Sequence, residues 1–148
     1  MASDQDTYVQ ANYNFMTSNV NALNSTLTDI RVALLSSAYT ADVQNDDNWG
    51  EISSLEITGN NYSSPGAELT TKSVTASGQE VVFNADDVTW SNSSITAYYA
   101  VVFDNTSTAA ANKKLLSYTD FGGAKIADGG DFTIQWSTAG IFSITAST

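Results

Sequence analysis

Ile95-Thr-Ala-Tyr-Tyr-Ala-Val-Val-Phe103 decides the fold of this chain. Read with a period of two, Ile95, Ala97, Tyr99, Val101 and Phe103 share one face, and Tyr98, Ala100 and Val102 share the other. Neither face is polar. A strand of this kind lies between two layers or turns one face to another subunit. The same reading recurs upstream at Ile30–Leu35, again apolar on both faces and therefore a central strand. Leu55–Thr58, Leu69–Val74, Val81–Phe83 and Leu115–Thr119 supply shorter runs, with a tight turn at Ser77-Gly78 joining two of them. The chain closes with Phe132–Trp136 and Ile141–Thr145. Strict alternation there sends Phe132, Ile134 and Trp136 inward, and Ser137–Gly140 is expected to turn the two into a hairpin.

About eight short strands separated by polar, Gly- or Asn-containing turns predict an all-β, antiparallel β-sandwich or jelly-roll-like domain, because stacking two amphipathic sheets buries their alternating apolar faces. Leu34, Phe83, Trp90, Val101, Ile134, Trp136 and Ile144 are the expected core. With 148 residues, 42% of them hydrophobic, the chain suits one domain. That domain is expected over residues 29–148. Residues 1–28 read differently: Tyr8, Ala11, Phe15, Asn19, Val20 and Leu23 recur at roughly helical spacing, while five asparagines weaken the helix. An N-terminal helix and an arm gripping a neighbouring subunit both fit this segment.

Sixteen acidic residues against five basic ones give a formal net charge of -11. Such an excess repels phosphate backbones and anionic lipid, so neither nucleic acid nor a membrane is an expected partner. There is no histidine and no cysteine. Disulfides, thiolate metal sites and thiol nucleophiles are therefore excluded, and a serine nucleophile would lack its usual base. Asp86-Asp87 cannot share a proton as neighbours on a strand, since their side chains point to opposite faces. They read as a turn or bulge. Asp42, Asp46, Asp47 and Glu51 form an acidic loop without the alternating spacing of a calcium-binding loop, and Asp128-Gly-Gly-Asp131 reads as a turn between strands. No catalytic residue, metal ligand or cofactor is expected.

One resemblance adds to this. Val32-Ala-Leu-Leu-Ser-Ser-Ala-Tyr-Thr-Ala-Asp42, then Trp49, the Gly59–Ala67 loop with Tyr62, Asn84-Ala-Asp-Asp-Val-Thr-Trp90 and Ile95–Phe103 together resemble a family of small tailed-bacteriophage virion structural proteins. The likeness covers most of the chain after Asp29. It departs from the family pattern at Tyr98, where a cation is frequent, and at Pro65-Gly66-Ala67, where a glycine pair is common. The resemblance implies a non-enzymatic capsid decoration (cement) protein on the outer surface of the head, linking capsomers. The major capsid protein would be its partner, and the chain a homo-oligomer, expected as a trimer to match threefold lattice positions. Tyr8, Tyr13, Phe15, Tyr62 and Tyr98 are the candidate subunit or capsid contacts. The alternative is a tail, fibre or baseplate component that binds host glycans through exposed tyrosines.

Overall fold

Ile30–Leu35, anticipated as a doubly covered strand, is the element around which the molecule is layered. The computed structural model describes residues 4–11, 23 and 26–145. Its strands in chain order are β1 (Asp4–Thr7), β2 (Ile30–Leu35), β3 (Ala67–Glu68), β4 (Ser73–Ser77), β5 (Glu80–Asn84), β6 (Val88–Asp104), β7 (Leu115–Ile134) and β8 (Phe142–Thr145). They form a five-stranded sheet in the order β1-β7-β6-β2-β3 and a three-stranded sheet in the order β4-β5-β8. Every pairing is antiparallel. The expected all-β sandwich is thus the observed class.

Each face of the large sheet carries its own core. On one side Val32 and Leu34 of β2, Ala100 and Val102 of β6, and Leu116 of β7 meet Phe83 and Phe142 of the small sheet. On the other side Ala33 and Leu35 alternate outward with Val101, Phe103 and Leu115. That second face is covered by Tyr39, Trp49 and Ile52 from the connection after β2, and by Tyr8 and Ala11 from the N-terminal segment. The Trp49 and Phe103 rings stack in parallel, with centroids 4.5 Å apart, an arrangement that adds to the burial of both. A short helix, Trp49–Ile52, holds Trp49 in place: its N–H donates to the Lys113 carbonyl, and Lys114 Nζ bridges to Asp47 at 2.6 Å.

β6 and β7 are far longer than the alternating pattern implied, running the length of the molecule as one hairpin. The residues read as separate strands, Leu115–Thr119 and the start of Phe132–Trp136, belong to the single strand β7. Between them, Phe121–Ala124 bulge out as the register passes from Tyr99↔Asp120 to Ala97↔Lys125. Gly122 and Gly123 take positive φ there, +73° and +147°, conformations that side-chain-bearing residues adopt only under strain. Asp128–Asp131 is likewise part of β7 instead of a turn between strands. The irregularity at Ala97/Tyr99 also shifts the alternation of β6. Ile95 and Ala97 therefore join Ala100 and Val102 in the inter-sheet core, where unbroken alternation had grouped them with Val101 and Phe103.

Four further readings are corrected. Leu55–Thr58 is not a strand: Ser53–Leu55 forms a 3-10 turn, and only an isolated bridge from Glu56 to Leu35 touches the sheet. Leu69–Val74 is not one strand: the buried Leu69 follows β3, residues 70–72 lie outside any strand, and only Ser73 and Val74 begin β4. Phe132–Trp136 and Ile141–Thr145 do not pair, since β7 ends beside β6 and β8 joins β5. Six of the seven expected core residues are buried, whereas Ile144 is 47% exposed because β8 runs past the edge of the core. The segment 1–28 contributes β1, which pairs with Ser117–Asp120 of β7, and a helical turn at residues 9–11; Asp4-Gln-Asp-Thr7 carries no strand-forming pattern from which β1 was legible.

Candidate functional site

Two of the aromatic residues nominated as contacts, Tyr8 and Tyr62, are used by the fold itself. Tyr8 is wholly buried, its ring 5.7 Å from Tyr118 and its hydroxyl 2.5 Å from that of Tyr39. Tyr39 in turn donates to Asp46 Oδ2 at 3.4 Å. Burial first, then the neighbouring Tyr39, pushes the Tyr8 phenol up, and burial does the same to Tyr39. Tyr8 therefore presents no surface to a neighbour, contrary to its expected role. Tyr62 sits on the opposite face of the large sheet. Its ring tilts against Trp90, its hydroxyl accepts from the Leu34 N–H at 2.9 Å, and it donates to Glu56 Oε1 at 2.7 Å. Desolvation pushes this phenol up as well. Tyr98 is half-buried at the β6 irregularity. Tyr13 and Phe15 lie outside the described residues. Tyr8, Tyr62 and Tyr98 are not brought together into one site.

The acidic clusters are also spoken for. Asp42 accepts from the backbone N–H groups of Gln44 and Asn45 and from the Asn45 side chain. The Asn45 side-chain bond leads in lowering its pKa. Asp46 accepts from the Asp42 N–H, and Glu51 Oε2 from the N–H groups of Asp47 and Asn48. These are loop-closing roles, the ones that short acidic side chains perform at turns and helix starts. Asp86 accepts from Thr71 Oγ1 at 2.7 Å, while Asp87 accepts from the Trp136 N–H at 2.9 Å. The pair, in the turn between β5 and β6, thus ties that turn to the connection before β4 and to the residues just after β7. Among the described residues no three His, Cys, Asp or Glu side chains are grouped to hold a metal ion.

What the fold leaves over is apolar. On the small sheet the alternation of all three strands places Val74, Val81, Phe83, Phe142 and Ile144 on one face. Phe83 and Phe142 plug into the inter-sheet core, but Val74, Val81 and Ile144 are 38%, 43% and 47% exposed. With Leu23 these residues line a hollow of about 190 Å³ that has almost no polar wall. Glu80 is the only charged residue on β4, β5 and β8. A surface that is uncharged and aliphatic, on a chain of net charge -11, is the most distinctive feature for recognition among the described residues. Sequence reading assigned Ile144 to the core because alternation tells which face a residue occupies and not where along the strand the covering layer stops. The pairing of β8 with β5, a contact between residues some sixty positions apart, was the missing information.

The chain finds no match among protein-family models, curated proteins or solved structures.

Proposed function

We propose that this protein is a non-enzymatic virion structural protein of a tailed bacteriophage, a decoration protein that binds the outer surface of the head, contacts the major capsid protein and links capsomers. The observation that carries the reading is the uncharged aliphatic face of the small sheet, with Val74, Val81 and Ile144 open to solvent. Isolated soluble domains seldom leave adjacent aliphatic side chains uncovered unless something docks there. Tyr8, Tyr39, Tyr62, Glu56 and Asp87 spend their polar atoms on internal bonds, which suits a rigid binding module better than a chemical site. The segments that carry the phage resemblance, Val32–Asp42, Trp49, Tyr62 and Ile95–Phe103, build the two cores, so the likeness concerns the scaffold that holds this face.

The test is to add purified protein to heads assembled without it and image them by cryo-electron microscopy. Density repeating across the icosahedral head, and its loss with Val81→Asp or Ile144→Asp in protein of unchanged circular dichroism, is the expected result. Density at the tail or its tip, or full head occupancy by both variants, overturns the reading.

A further inference from the structure

Among the described residues, the small sheet ends in a strand with no partner on its outer side. β4 is the terminal strand of the order β4-β5-β8, and its residues 74–76 are exposed. Gly78 and Gln79 form the two-residue turn between Ser77 and Glu80. Such a turn makes its flanking residues a hydrogen-bonded pair, and the antiparallel ladder then alternates. Thr75 therefore bonds inward to Val82, while the backbone groups of Val74 and Ala76 point away from the sheet. Natural edge strands are commonly guarded by lysine, proline, a bulge or an inward charge. β4, Ser-Val-Thr-Ala-Ser, has none of these.

From this geometry we infer that β4 is a docking edge for a second copy of the same chain, pairing antiparallel with its counterpart across a twofold axis centred on Thr75. The sequence is self-complementary in that register: Ser73 falls opposite Ser77, Val74 opposite Ala76, and Thr75 opposite itself. The outward groups of Val74 and Ala76 then bond reciprocally to those of the other copy, giving a continuous six-stranded sheet. Thr75 forms the closely spaced pair between them, a position where two threonines are favourable. Charge selects the same partner surface. A copy that also carries -11 is repelled over most of its surface, yet β4 brings no charged residue to the contact. The exposed Val74, Val81 and Ile144 side chains of the two copies then lie on one side of the joined sheet. This inference does not depend on the capsid reading, and it replaces the threefold symmetry expected from the sequence with a twofold one.

Because the chain has no cysteine, Thr75→Cys carries a single thiol, and the opposed pair lies within disulfide reach. Under mild oxidation Thr75→Cys is expected to form a covalent dimer, while Thr108→Cys, in an exposed loop, stays monomeric. Sedimentation equilibrium of the purified native chain should show mass rising with concentration from 15.7 kDa toward twice that value. Thr75→Lys, which opposes two cations across the axis, should remain at the lower mass. A native chain that stays monomeric at millimolar concentration, a threefold mass, or equal cross-linking of the two cysteine variants overturns the inference. None of these measurements involves a capsid, so their failure is distinct from failure of head binding.

Discussion

Tyr8 carries a hydroxyl into the interior, where Tyr39 and, beyond it, Asp46 receive it in a short relay. The phenolate form has no place there, and burial holds the phenol above its ordinary value of 10.0. In the unfolded chain the proton leaves near that value, while the folded chain retains it. The unfolded state therefore binds fewer protons above pH 10, and stability must fall as pH rises through that range and stay level below it. Each such phenol contributes a slope of up to about 1.4 kcal/mol per pH unit. Urea unfolding between about pH 8 and pH 11 checks this. The midpoint of the native chain should drop above pH 10, with a shallower drop for Tyr8→Phe. Nothing in the sequence around Tyr8 announced this role, because its partner lies 31 residues away. Helical spacing identified Tyr8 and Ala11 as one apolar face and could not say what that face would meet.

At the level of elements, legibility followed the continuity of the apolar pattern. β2 was readable to the residue because both layers that cover it are apolar. β7 was not, since its middle, Gly122–Asp131, is exposed apart from Ala127 and bends at glycines, leaving two apolar ends that read as separate strands. The exposed face of the small sheet was out of reach for a related reason, as it depends on which strands pair. Turns between elements provide a sharper test. Gly66 and Gly78 both have positive φ, +72° and +60°, but a Cβ at Gly66 would stand 2.0 Å from the Val32 carbonyl oxygen, whereas one at Gly78 meets nothing within 4 Å. Gly78→Ala should lose only the left-handed backbone penalty, about 1–2 kcal/mol. Gly66→Ala should lose markedly more, because β3 must be pushed off β2 to admit the methyl group. Chemical denaturation of the two variants, with amide exchange at the Leu69 N–H that bonds to Ile30, reports both effects.

At the scale of the whole molecule, two cores share one set of strands. β6 contributes Ala100 and Val102 to the inter-sheet core and Val101 and Phe103 to the outer one, and β2 divides its residues in the same way. The far end of the β6–β7 hairpin, with Trp90, Phe132 and Ile134, reaches the residues of the small sheet as well. A sandwich whose halves were joined only by loops could shed one sheet and keep the other. Here the hairpin acts as a common beam, and neither layer has a boundary along which it can separate. Melting should accordingly be all-or-none: a single calorimetric peak with equal van 't Hoff and calorimetric enthalpies, and no plateau at which one set of tryptophans is exposed before another. Failure of this fold is therefore a threshold event. The molecule bears stress without partial yielding until the beam itself gives way.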